Sequence, residues 1–384
     1  MTKIFLVAGE ASGDMLGAAL MRALRSAERG IAFAGVGGRE MTAAGLASLF
    51  PLEDIAVMGL TPVLARLPLL ARRLDETVRA VLEEAPDCLV LIDAPDFTHR
   101  VARRVRAANP AIRIVDYVCP SVWAWRPGRA REMRAYVDRV LAILPFEPAA
   151  LARLGGPPCD YVGHPLIESL DNFARRDEDA EESLLVVLPG SREAEVRRMA
   201  PLYGKVVARL KRDFPALEVL VPPTQALESL VRAETARWPV APRILPQSEK
   251  FLAFRRARTA LATSGVVTLE LALAGAPMAV AYRVSGPERL LRPLVKLENF
   301  ALPNLILRRS AEDRAVPEFF QRAATPEALA AALAELLRGG PAREAQLAAF
   351  TALRKEMLKA GASPSRRAAE IVLSCAKGGE KLRR

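Results

Sequence analysis

Short runs of apolar residues recur along this chain, each closing on a turn of glycine, proline or acid and each followed by a stretch of helical periodicity. Strands that do not alternate polar with apolar residues are buried on both faces, so helices must cover the sheet on each side. That requirement restricts the chain to α/β folds with parallel sheets. The runs fall in two series. The first comprises Lys3 to Ala8, Ile31 to Gly35, Cys88 to Ile92, Ile112 to Tyr117 and Leu141 to Leu144. The second comprises Leu184 to Leu188, Leu217 to Val221, Arg243 to Leu245, Thr259 to Thr263 and Met278 to Tyr282. Between them, residues 161–182 lose apolar character and turn acidic, as a linker would. The division predicts an N-terminal domain over 1–170, a second over 183–345, and a helical segment over 346–384 that ends in a frayed tail. At 384 residues the chain is long enough for two cores.

Lysine and arginine number 55 against 44 acids, a formal charge of +11. Such a surface suits a polyanion, whether nucleic acid, anionic membrane or phosphorylated substrate. Nucleic acid is disfavoured, because no Cys/His finger, aromatic-basic strand or long basic tract occurs. Cys88, Cys119, Cys159 and Cys375 are far apart and read as reduced thiols. With His99 and His164 the only histidines, a multi-histidine metal centre is excluded by count. The opening apolar run is too short for a signal peptide, and no stretch offers the roughly 20 apolar residues of a membrane span. Membrane work, if any, is expected from outside the bilayer. The candidate is 57–74, where Leu60, Val63, Leu64, Leu67 and Leu74 make an approximate stripe beside Arg66, Arg72 and Arg73. A core helix with exposed arginines fits the same residues, and Pro62 and Pro68 argue against one straight helix.

Chemistry gathers after strand ends, where ligands bind in such sheets. Gly9-Glu-Ala-Ser-Gly-Asp14 follows the first strand but lacks dinucleotide-binding spacing, and Ser12 or Asp14 suits a helix cap. Asp93-Ala-Pro-Asp96 puts two acids at the rim of a buried strand, one fit to act as a general base and the other to orient. Capping the next helix is the plainer role for either. Pro189-Gly190-Ser191-Arg192 opens a helix where backbone N–H groups and a guanidinium can receive phosphate oxygens, and Ser264-Gly265 repeats the turn. Glu270, two helical turns inward, can accept from adjacent sugar hydroxyls. Together these fit a nucleotide sugar better than free phosphate. Trp123 and Trp125 can line a sugar or acyl surface, or anchor their loop in the core.

Val7-Ala-Gly-Glu-Ala-Ser-Gly-Asp14, Ala56-Val-Met-Gly59, Ile92-Asp-Ala-Pro-Asp-Phe97, Pro120-Ser-Val-Trp-Ala-Trp125, Leu144-Pro-Phe-Glu147, Val162-Gly-His-Pro165, Leu188-Pro-Gly-Ser-Arg192 with Glu195, and Leu302-Pro-Asn304 occur in one order along the chain. This ordered set resembles the lipid-A-disaccharide synthases, membrane-associated glycosyltransferases. The resemblance implies a GT-B fold, two Rossmann-like domains facing a cleft. It implies inverting transfer from UDP-2,3-diacylglucosamine to 2,3-diacylglucosamine 1-phosphate without metal or other cofactor. It also implies peripheral attachment to the anionic cytoplasmic face of the inner membrane, with a homodimer left open. By carry-over Asp93 is the base, Asp96 and Glu10 support it near the acceptor, and Asp14 is a weaker candidate. Gly190, Ser191, Arg192, Ser264, Gly265, Glu270, Arg283 and Asn304 are donor-site residues on the same basis. Two departures stand out: Val266 replaces the threonine usual after Gly265, and Leu60-Thr-Pro62 replaces an acidic version. Alternatives are another UDP-sugar enzyme of the same fold, such as an epimerase, or a non-catalytic nucleotide-lipid sensor. A nicotinamide dehydrogenase is argued against by the missing fingerprint.

Overall fold

A computed structural model describes residues 1–56, 66–173, 183–284, 298–361 and 363–378. The chain forms two compact units, Met1–Glu168 rejoined by the chain from Met357, and Ser169–Glu356.

In the first unit β1 (Lys3–Ala8), β2 (Ala32–Val36), β3 (Cys88–Ile92), β4 (Arg113–Tyr117), β5 (Arg139–Ala142) and β6 (Cys159–Tyr161) make one sheet. Its order is β2-β1-β3-β4-β5-β6, parallel throughout. Every residue of β3 is buried, as is β1 from Ile4 onward, which is why these segments carry no polar alternation. Helices Ala11–Ala27, Leu67–Glu84 and Pro95–Ala108 cover the sheet with the last helix, Pro364–Ala376, which packs on Ala11–Ala27 and buries Ala368, Ala369, Ile371 and Val372.

The second unit holds β7 (Leu184–Leu188), β8 (Glu218–Val221), β9 (Arg243–Ile244), β10 (Thr259–Thr263), β11 (Met278–Tyr282) and β12 (Glu318–Phe320). The order is β12-β11-β10-β7-β8-β9, again parallel. Helix Glu193–Asp213 packs against helix Pro326–Arg338, whose Thr325 cap accepts from the Ala328 N–H. In helix Pro341–Met357 the Gln346 amide closes both backbone groups of Met278, fastening it to β11.

In each sheet the chain builds outward to one side of its first strand and then returns to the other. The reversals fall between β1 and β3 and between β7 and β10. Loops leaving those neighbouring strands diverge to opposite faces and leave a crevice at their carboxyl ends.

Several elements differ from the sequence reading. The strand expected over Leu141 to Leu144 ends at Ala142, because the Leu144 N–H turns to the Glu147 carboxylate. The three-residue strands β6 and β12 were not foreseen, since each is short and includes an acid, Asp160 or Glu318, and gives no apolar run. Leu60, Val63 and Leu64 of the membrane stretch lie outside the described residues. Within the described part Leu67 is exposed and Leu74 is buried. Arg73, expected to meet lipid head groups, instead bonds Asp54 and Glu76 and lies over the Phe50 ring.

Candidate active site

Asp93 and Ala94 follow β3 with φ of 59° and 45°, two consecutive left-handed residues that are not glycine. Such backbone costs about 1–3 kcal/mol per residue and persists where surroundings impose it. Here the Asp93 N–H donates to the Tyr117 carbonyl at the end of β4, and the Thr98 hydroxyl donates to the Asp93 carbonyl. The Gly9 N–H donates to the Ile92 carbonyl, and any Cβ at Gly9 would overlap the Ala94 Cβ. The Gly9 turn is therefore shaped to the Asp93 turn across the β1–β3 reversal. It leaves the Asp93 carboxylate half-buried, with Oδ1 accepting the Ala94 N–H at 2.8 Å and Oδ2 accepting the Ser12 hydroxyl at 3.2 Å. A carboxylate held at both oxygens yet reachable from solvent is equipped to accept a proton from a bound hydroxyl.

The caps expected from sequence fall elsewhere. Glu10 is the N-cap residue of helix Ala11–Ala27 without a side-chain capping bond, and Ser12 turns to Asp93 instead. Asp14 is buried and accepts the N–H groups of Gly38, Glu40 and Met41 at 2.8–3.0 Å. It caps helix Arg39–Ala43, so its place is inside the scaffold. Ala94, not either acid, is the N-cap residue of helix Pro95–Ala108. Asp96, in that helix's first turn, points outward and accepts from Arg129 at 2.7 Å. Three residues on, His99 is buried with Nε2 3.1 Å from Asp116 and Nδ1 3.2 Å from the Tyr136 hydroxyl. With both ring nitrogens engaged, it ties the helix carrying Asp96 to β4. No periodicity announces that tie, since its partners lie 17 and 37 residues away.

The loop after β4 begins beside Asp93 and is anchored by Glu147. The Glu147 carboxyl takes the Trp123 indole N–H at 3.3 Å and the Leu144 N–H at 2.9 Å, while Trp123 meets the Phe146 ring edge-on. Burial pushes the Glu147 carboxyl up to about 8, against those hydrogen bonds, which lower it. Trp125 carries the Arg126 guanidinium over its ring at 4.1 Å. Both tryptophans are half-buried, Trp123 anchored through its indole N–H and Trp125 with a cation on its face. His164 is buried and pushed down to about 4 by desolvation, which keeps it neutral. Among the described residues no three His, Cys, Asp or Glu side chains converge as a metal cluster would.

In the second unit the turn after β7 is built on Glu195. Its buried carboxylate accepts the Ser191 backbone N–H at 3.0 Å and a guanidinium N–H of Arg192 at 3.2 Å, and its Cβ leaves no room for a side chain at Gly190. Ser191 and Arg192 stay exposed at the start of helix Glu193–Asp213. Ser264 and Gly265 leave the adjacent strand β10. The Ser264 hydroxyl donates to the Phe300 carbonyl, whereas Gly265 has open space on its side-chain face. Glu270, buried on helix Val267–Leu273, meets Lys250 at 2.6 Å. The structure thus brings Gly190, Ser191, Arg192, Ser264 and Gly265 to the β7–β10 reversal. Arg283 follows β11, one strand farther on, with its guanidinium on the Ala324 carbonyl. Asn304 is fully buried, its amide bonding Glu318 and both backbone groups of Val316. It fastens helix Leu302–Ile306 to β12 and faces no solvent.

A family model described as lipid-A-disaccharide synthetase matches residues 4–372. The lipid-A-disaccharide synthase of Bradyrhizobium diazoefficiens is 50% identical over 99% of this chain and 98% of its own. That of Rhodopseudomonas palustris is 50% identical over 96% and 95%. Among solved structures, the glycosyltransferase of kitacinnamycin aligns with a TM-score of 0.61 over 97% of this chain and 98% of its own, at 16% identity. An S. aureus MnaA–UDP structure aligns at 0.59 over 98% and 96%, at 14% identity. At those identities the structural likeness speaks for the fold alone, the GT-B arrangement of two α/β units expected from sequence.

Proposed function

The chain belongs to the lipid-A-disaccharide synthase family, glycosyltransferases that form the lipid A disaccharide, and from that premise we propose the reaction and the division of its labour. The donor is UDP-2,3-diacylglucosamine, the acceptor is 2,3-diacylglucosamine 1-phosphate, and the first unit takes the acceptor while the second holds UDP. Asp93 removes the proton of the acceptor 6-hydroxyl as that oxygen attacks the donor anomeric carbon. The bond from that carbon to the diphosphate breaks on the opposite side, UDP leaves with the electron pair, and the α-linked donor becomes a β-1,6 bond. Arg192 and the amides of the Gly190 and Gly265 turns stabilise the charge growing on the departing diphosphate.

The observation that carries the base assignment is the strained Asp93 turn at the β1–β3 reversal. Ser12 orients its carboxylate, and supporting roles toward the acceptor fall to Asp96, which is bonded to Arg129, and to Glu10, the N-cap residue of the helix after β1. Glu270 accepts from the ribose hydroxyls. Asn304 serves by holding its helix, and Arg283 reaches the diphosphate only if its guanidinium leaves Ala324. The lipid substrates place the enzyme on the cytoplasmic face of the inner membrane. The net charge of +11 and the exposed Leu67 and Met15 support that reading, and no described helix is long and apolar enough to cross.

The test is mass-spectrometric product analysis after mixing purified protein with both lipids in mild detergent without added metal. The reading expects tetraacylated disaccharide 1-phosphate and stoichiometric UDP. Folded protein that binds both lipids yet makes no disaccharide would overturn it, and UDP without disaccharide would point to hydrolysis or epimerisation.

A further inference from the structure

Glu270 lies where a carboxylate is costly to keep. It is 8% exposed, and a buried charge without a partner is strongly unfavourable. Its partner is Lys250, supplied by a separate helix, Lys250–Arg256, with Nζ 2.6 Å from Oε2. The lysine is itself held. Its ammonium lies 5.3 and 5.5 Å from the Phe251 and Phe254 rings, Phe254 is fully buried, and Phe251 meets Phe173 edge-on. The buried acids Glu195 and Glu234 of this unit pair with arginines that are more than half exposed, and pairs such as Arg197 with Glu193 lie in solvent, where they contribute little. In the Lys250–Glu270 pair the acid is buried and the lysine largely covered, held on aromatic anchors, and the pair joins the helix that follows the Ser264–Gly265 turn.

We propose that Lys250 is a positioning residue for the donor nucleotide: it pins Glu270 through Oε2 so that the rest of the carboxylate faces the vicinal ribose diol. This rests on the reading of Glu270 as the diol acceptor and adds what fixes that group. An ionised carboxylate is an acceptor only, with about four lone-pair sites. One is taken by the ammonium, and two adjacent hydroxyls can donate to those left. Removing the lysine leaves the carboxylate in place but without its fixed partner or orientation, so recognition of the diol falls more than recognition of the diphosphate. A pair that merely joined two helices would weaken all nucleotides alike.

Inhibition by UDP, 2′-deoxy-UDP and 3′-deoxy-UDP separates these cases, because the ratio of inhibition constants is read within one folded protein. Hydrogen bonds to a charged group contribute about 1.5–3 kcal/mol, so the wild-type enzyme is expected to prefer UDP over either deoxy analogue by roughly tenfold or more. In K250M that preference shrinks to about twofold and the donor KM rises by more than kcat falls, whereas K250R restores part of the preference. A full wild-type preference in folded K250M, with the preference lost in E270Q, overturns the role of Lys250 and leaves Glu270 standing. No preference in the wild-type enzyme overturns the Glu270 reading and the lysine's role with it.

Discussion

Asp93 combines a backbone that few residues adopt with a carboxylate anchored at both oxygens, and the second anchor is a hydroxyl that can be removed without touching the backbone. S12A is expected to lower kcat by about tenfold while the acceptor KM changes little, the size of one hydrogen bond to a charged group. S12T is expected to restore most of it. Steady-state kinetics on folded variants checks both, and an S12A enzyme with unchanged kcat would remove Ser12 from the account. Val266 is 51% exposed beside Gly265, and the family resemblance implies a threonine there. V266T is expected to lower the donor KM a few-fold by adding a hydroxyl toward the phosphates, measurable by titrating the donor. At this scale the sequence made legible the acids at strand ends, because a polar residue after a buried strand has few places to go. It did not make legible the cap made by Asp14 or the burial of Asn304. Their partners are backbone groups brought near by the fold, and no local pattern encodes them.

Among elements, the turns at the two reversals are shaped by neighbours as much as by their own residues. A methyl group at Gly9 would meet Ala94, so G9A is expected to destabilise the first unit by about 1–3 kcal/mol and to depress activity by displacing Asp93. Thermal melting beside turnover checks it. The loop after β4 depends on the Glu147 carboxyl, held at about 8 in the folded protein against an ordinary 4.5. The folded state binds that proton more tightly than the unfolded chain. The stabilisation is therefore complete below about 4.5 and lost as pH rises through about 8. The difference in melting temperature, E147Q minus wild type, is expected to grow as pH is raised across that window. A difference that stays flat with pH would contradict it. The unbroken apolar strands could be read from sequence because burial on both faces leaves a continuous run. The edge strands β6 and β12 could not, since three residues that include an acid and are mostly half-buried look like loop.

For the whole molecule, the strand orders could not be read from sequence, yet they decide where the crevices lie. Motif order pointed to the family without them, and the fold then brings the Gly9 and Asp93 turns together at the β1–β3 reversal and sets the Gly190 turn at the β7–β10 reversal. The first unit also depends on the chain's return. Helix Pro364–Ala376 buries Ala368, Ala369, Ile371 and Val372 against it, so a chain ending at Glu356 should lose on the order of 5 kcal/mol from that unit and aggregate on expression. The central claim is that this two-unit glycosyltransferase uses Asp93 as its base. The most direct test is the rate of disaccharide formation by D93N at saturating substrates, with folding and UDP binding measured on the same preparation. The account predicts a folded variant that binds UDP and turns over about 10²–10⁴-fold more slowly. A folded D93N with near-normal turnover would contradict it.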